Sequence, residues 1–125
     1  MKRDMDLIRY LLFYFEEKDD FAHVKSDDIE ISGYDAKLVA YHVYLMCEAG
    51  LLSCERITSS TTPDRLIDAL PFRLTWDGHE FLDAARSDRL WSRAKIAVQE
   101  QGLATGFALL QAMLIALAKS ELGLG

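Results

Sequence analysis

One helix-ending signal constrains this chain more than any other feature. Residues 34–55 read YDAKLVAYHVYLMCEAGLLSCE, a helical pattern that stops at Ala49-Gly50 and runs at once into Leu51-Leu52. A glycine just past the last periodic residue ends a helix, because only glycine enters the left-handed conformation without steric cost. A short strand, Leu51 to Ile57, is predicted next, then a stretch rich in Ser and Thr and a second apolar segment from Pro71 to Thr75. Leu74-Thr75-Trp76-Asp77-Gly78 opens another helix. This order predicts a mainly α chain with one small β-hairpin (α+β), having a winged helix-turn-helix-like core and additional C-terminal helices. Residues 1–75 form the core with its wing in this reading, and residues 76–125 the C-terminal helices.

At 125 residues the chain suits a single domain, which at this size buries roughly 65–70% of its unfolded surface. No uninterrupted apolar run approaches the ~20 residues of a membrane-spanning helix. The N-terminus has acids among its first residues and no small-residue cleavage site, so it reads as a helix and not as a signal peptide. Two cysteines without an export signal predict reduced thiols and a cytoplasmic location. The net charge of −6 is regional: Glu16 to Asp35 holds eight acids against two lysines, and the remaining positions balance. Phosphate is repelled by such a patch, so a nucleic-acid surface must lie elsewhere.

Asp4 to Glu17 places Leu7, Ile8, Leu11, Leu12, Tyr14 and Phe15 at helical spacing, with Tyr10 and Phe13 on the opposite side. A helix apolar over so much of its circumference is buried on two faces or joins an interface. Between residues 21 and 32 the signals are mixed. Ile29-Glu30-Ile31 suggests a short strand before the Ser32-Gly33 turn, and a scaffold helix ahead of residue 34 has no clear counterpart. In the next helix, steps of about 100° put Leu38, Val39, His42, Leu45, Met46 and Ala49 inside, and Lys37, Ala40, Tyr41, Tyr44 and Glu48 outside. Ser59 to Asp64 reads as the hairpin tip, Arg65 to Leu70 as a short turn within a long wing, and Pro71 as the start of the returning strand. Thr75, Ser87 or Asp88, and Thr105 are the predicted caps of the last three helices. The final one carries Phe107, Leu110, Met113, Leu114 and Leu117 on one side and Ala108, Ala112 and Ala116 on the other.

Chemistry is sparse. Asp77, His79, Glu80 and Asp83 crowd one helix start, but only His79 and Asp83 have the i, i+4 spacing of helical metal ligands, and two are too few. Cys47, Cys54 and His42 do not make the four closed ligands of structural zinc; packed thiols and a buried, hydrogen-bonded histidine are expected. No nucleophile turn or glycine-rich phosphate loop occurs. The expectation is a chain that is not an enzyme and has no metal or cofactor.

Several phrases resemble a family of bacterial and phage proteins known as domain of unknown function 2513. They are residues 1–9, Gly33-Tyr34 with His42, Glu48-Ala49-Gly50-Leu51, Leu74 to Ala84, Trp91 and Leu122-Gly123-Leu124. The resemblance implies a winged-helix-like fold and a home in prophages and other mobile elements. It implies no activity and carries no site residues.

Two functions follow as expectations. In a winged helix, the helix before the hairpin enters the major groove of double-stranded DNA while the wing touches backbone. Candidate nucleic-acid contacts are then Lys37, Tyr41 and Tyr44 from the helix and Arg56, Arg65 and Arg73 from the wing, aided by Ser59, Ser60, Thr61 and Thr62. Against this, one lysine beside an outward Glu48 is a poor base-reading surface, which favours Arg, Asn and Gln. The alternative is an interaction module that contacts a host or phage protein without binding DNA. The alanine stripe of the final helix predicts a homodimer through the C-terminal helices, and its lack of a basic polar face argues against membrane association.

Overall fold

The computed structural model describes residues 1–58, 61, 66–102 and 106–124. Along the chain come α1 (Met5–Glu17), a single 3-10 turn (Ser26–Asp28), α2 (Ala36–Glu48), β1 (Leu52–Thr58), β2 (Leu66–Leu74), α3 (Trp76–Ala85), α4 (Asp88–Glu100) and α5 (Phe107–Glu121). The class is therefore α+β: mostly helical, with one antiparallel hairpin. The chain divides into two compact units, Met1–His79 and Glu80–Gly125.

In the first unit α1 begins where Asp4 turns its carboxylate onto the amides of Asp6 and Leu7, satisfying two donors that the helix cannot pair internally. Leu7, Ile8, Leu11, Leu12 and Phe15 are buried, while Tyr10 remains 48% exposed. Asp35 caps α2 in the same way, through the amides of Lys37 and Leu38. The buried side of α2 is turned from the expected one: Val39, His42, Val43, Met46 and Cys47 are inside, Leu38 and Leu45 are half-buried and Ala49 is exposed. The cause is tertiary, since α2 packs against both α1 and the hairpin.

His42, fully buried, joins the first two helices. The Asp4 amide N–H donates to His42 Nε2 (2.7 Å), and His42 Nδ1 lies 2.8 Å from the Leu38 carbonyl oxygen. Because Nε2 accepts, the proton sits on Nδ1 and is donated to Leu38, so the two bonds together select one neutral tautomer. The expected hydrogen-bonded core histidine is there.

Between α1 and α2 stands one turn of 3-10 helix, Ser26–Asp28. Residues 29–31 are not a strand; Ile29 instead buries its side chain. The segment before the turn lies along β2, where the Val24 amide donates to the Pro71 carbonyl (3.0 Å). Strand β2 starts at Leu66, so the turn expected over Arg65 to Leu70 is already strand from residue 66 onward, and Pro71 falls inside the strand and not at its start. The ladder runs Ser53 opposite Arg73 and then Cys54 opposite Pro71, leaving Phe72 as the extra residue of a bulge. A bulge tolerates a residue with no N–H to give the ladder. Of the predicted hairpin tip only Thr61, an exposed bend, is among the described residues.

The Gly50 stop works as read. Gly50 has φ +77°, its amide bonds the Cys47 carbonyl, and the Leu51 amide bonds the Met46 carbonyl (2.9 Å), the paired bonds of a Schellman end. Thr75 then ties α3 to this turn. Its hydroxyl donates to the Gly50 carbonyl and accepts from the Gly78 amide (3.1 Å), while its own amide donates to Leu51 (3.0 Å). A Cβ on Gly78 would overlap the Leu51 carbonyl oxygen, so the close approach of helix to turn requires glycine.

One expectation is overturned here. Cys47 and Cys54 are not free thiols: they form a disulfide, with Cα atoms 6.0 Å apart. The Schellman turn reverses the chain between them, so the last turn of α2 faces the third residue of β1 at bridging distance. The spacing of the two cysteines alone does not show that they meet across that turn.

In the second unit Phe81 stacks on Phe107 (4.4 Å between ring centroids) and meets Trp91 edge-on (6.3 Å). Ser87 caps α4 through the Leu90 amide (3.2 Å). Helices α4 and α5 pack through Leu90, Ala94, Val98, Leu110 and Leu114, and Arg89 and Arg93 both reach Glu121. Gly106 occupies the cap position of α5; Thr105, the predicted cap, lies outside the described residues.

Candidate binding surface of helix α2 and the hairpin

The candidate contacts on α2 are spaced three and four residues apart, so Lys37, Tyr41, Tyr44 and Glu48 lie in one stripe outside its buried side. Lys37 and Glu48 are exposed; the two tyrosines are half-buried. Tyr41 meets the His42 ring edge-on (5.7 Å). Tyr44 hydrogen-bonds to Glu48, and this bond, followed by burial and the carboxylate charge, raises the phenol above its ordinary value of 10.0, with Arg56 pulling the other way. Tyr44, Glu48 and Arg56 thus form one electrostatically coupled group, with Tyr41 also within its field.

The hairpin arginines are separated. Arg56 stands opposite Ala69, while Arg73 stands opposite Ser53 near the base of the ladder. Three strand positions divide Ser53 from Arg56, roughly 10 Å. Arg65, with Ser59, Ser60 and Thr62, lies outside the described residues. Of the six predicted contacts, then, the fold gathers Tyr41, Tyr44 and Arg56, aligns Lys37 with them along α2, and sets Arg73 apart.

A cavity of about 410 Å³ opens where α2, the 3-10 turn and the hairpin meet. Its floor is Ala40, Ile57 and Ala69, and its polar edge includes Lys25, Asp27 and Tyr44. A single 3-10 turn fills less volume than a full helix, and the hollow lies beside it. His23, also on its edge, meets Phe72 edge-on (5.8 Å).

Asp77, His79, Glu80 and Asp83 are all exposed, and Asp83 pairs with Arg86 (3.0 Å). Among the described residues no group of three or more His, Cys, Asp or Glu is placed to hold a metal ion. No helix among them is long and apolar enough to cross a membrane. Sequence reasoning did not anticipate the contact of Tyr10 on α1 with Tyr34 before α2, their ring centroids 6.1 Å apart. The outward position of Tyr10 was legible, but its partner is 24 residues away and is brought there by folding.

The family model described as "Hypothetical protein (DUF2513)" matches residues 2–104. The chain belongs to this family. An uncharacterised protein of Haemophilus influenzae is 36% identical over 103 residues, which cover 82% of this chain and 83% of the relative. No solved structure matches the chain. The DUF2513 match includes the Leu74 to Ala84 phrase, whose Thr75 and Gly78 have the structural duties described above. It ends before α5, so the closing Leu122-Gly123-Leu124 lies beyond the matched range.

Proposed function

We propose that this DUF2513 chain is a non-catalytic binding module on a winged-helix scaffold, and that its partners are proteins and not duplex DNA. The scaffold reading is supported by element order: a helix, a segment bonded to β2, a short turn, a second helix, then the hairpin. The partner reading is carried by charge. The net charge of −6 is concentrated in residues 16–35 of this unit, and residues 36–79, which include α2 and the hairpin, hold four bases against five acids and so no cationic excess for phosphate. Within the α2 stripe itself, Glu48 holds Tyr44 by a hydrogen bond, and a carboxylate at the C-terminal end of a would-be reading face repels phosphate.

The second reading, duplex DNA, is favoured by one observation: Lys37, Arg56 and Arg73 are exposed on the same unit. Fluorescence anisotropy of a labelled mixed-sequence duplex separates the two. No binding is expected, even at low salt. Binding with a dissociation constant of about 10⁻⁴–10⁻⁶ M that weakens steeply with salt, and is lost in Lys37→Ala/Arg73→Ala, would overturn the protein-binding reading.

A second copy of the chain belongs to the same proposal. Ala108, Ala112 and Ala116 are exposed on α5, and Leu109 and Ile115 beside them are 38% and 43% exposed. Small side chains flanked by larger apolar ones let another helix approach closely.

A further inference from the structure

We propose that the groove along the exposed side of α1 binds an arginine- or lysine-rich polypeptide segment, with one cationic side chain held against the outer faces of the Tyr10 and Tyr34 rings. This rests on the protein-binding reading above and gives it a partner chemistry.

The two rings lie 6.1 Å apart with their planes inclined at 57°, so they form two walls of an open corner and do not stack. A groove of about 680 Å³ opens beside them, edged by Glu30 and floored by residues 31–33. A second, of about 450 Å³, starts from Tyr10 and runs past Phe13 and Tyr14 to Glu17 and Asp19. Tyr10 lines both, so the two hollows adjoin at its ring and together form the proposed track.

The track is chemically one-sided. Ring faces attract cations through their quadrupole, guanidinium above all, and carboxylates at the edge add charge-assisted hydrogen bonds. Lys18, the cation in the lining, is already taken up by the Asp20 carboxylate and carbonyl. The negative field reaches the rings: after burial, the carboxylates of Asp4 and Asp6 are the next causes that raise the Tyr34 phenol. The helix also carries its own precedent, since the Arg9 guanidinium lies over the Phe13 ring at 5.1 Å. An anionic ligand would meet repulsion from the carboxylates at the rims, whereas a basic segment meets those carboxylates and the ring faces of Tyr10 and Tyr34, the Phe13 face being already covered by Arg9.

Titration of fluorescein-labelled nona-arginine and nona-lysine into the full chain, at about 0.05 and 0.15 M salt, tests this. Binding is expected for both, tighter for arginine. Tyr10→Ala leaves the net charge unchanged and is expected to weaken binding by about fivefold or more, with Tyr10→Phe near wild type. Glu30→Gln is expected to weaken binding and Glu100→Gln, an equal loss of charge on α4, to leave it unchanged. Circular dichroism checks that each variant is folded; if Tyr10→Ala unfolds, Tyr10→Leu and Glu30→Gln decide. Peptide that does not bind, or binds Tyr10→Ala and wild type alike, overturns the groove as a site. In that case the protein-binding reading still stands, because only the duplex titration decides it.

Discussion

Tyr44 shows how a single side chain reports the character of its surface. Its phenol is held protonated chiefly by the hydrogen bond to Glu48, so it ionises above the ordinary value of 10.0. The sign of the stability effect follows from linkage. A pKa raised in the folded state favours the protonated form there, so the contribution is present below pH 10 and lost as pH rises through the folded value. Ultraviolet titration of the tyrosinate band is expected to show late-ionising groups from Tyr34 and Tyr44 in the wild type. Glu48→Gln should move the Tyr44 transition toward 10.0, and Tyr44→Phe should remove it. An unchanged titration in Glu48→Gln would mean that the carboxylate does not hold the phenol. The outward position of both residues was legible from helical spacing, but the bond between them was not. Residues i and i+4 on a helix are only within reach, and whether they pair depends on what surrounds them.

Among the elements, the junction of α2, β1 and α3 is the most heavily tied. The Schellman end at Gly50, the disulfide from Cys47 to Cys54 and the Thr75 hydroxyl all act within this one turn. Gly78 is the point at which the tie leaves no room. Gly78→Ala places a methyl against the Leu51 carbonyl, and backbone cannot yield as a flexible side chain does. A loss of about 1–3 kcal/mol is expected, the range for forcing extra volume into a packed site, despite alanine's better helix propensity. Urea denaturation measures it; a variant as stable as wild type or more so would show that α3 can move away from the turn. The caps Thr75 and Ser87 and the stop at Gly50 could be read from local residue types, because capping is a matter of neighbours. The Pro71 bulge and the bond from Val24 to β2 could not, because each depends on which strand lies alongside, and the disulfide depends on the angle at which β1 leaves α2.

For the whole molecule, charge and apolar surface are distributed unequally. Residues 1–79 carry the entire net negative charge, whereas residues 80–125 are balanced and end in a helix with an exposed apolar side. If a second copy covers that side, Ile115→Glu should leave helicity intact and shift the chain from dimer to monomer. Sedimentation equilibrium reads the change, and a wild type that is monomeric throughout would remove the dimer from the proposal. The expected alanine stripe is exposed in the structure, but exposure alone does not name what lies against it.

Element order, helix ends and the buried sides of α1 and α4 were decided by the linear chain, because they follow from periodicity and from conformational preferences within a few residues. Tertiary structure decided the rest. It rotated the buried face of α2, joined Cys47 to Cys54 and aimed His42 at the start of α1. It also brought Tyr34 against Tyr10 to make the aromatic corner of the groove. Apart from the disulfide, which closes over seven residues, these depend on contact between residues distant in sequence, and such contacts are selected by packing the whole unit at once, which local pattern does not encode.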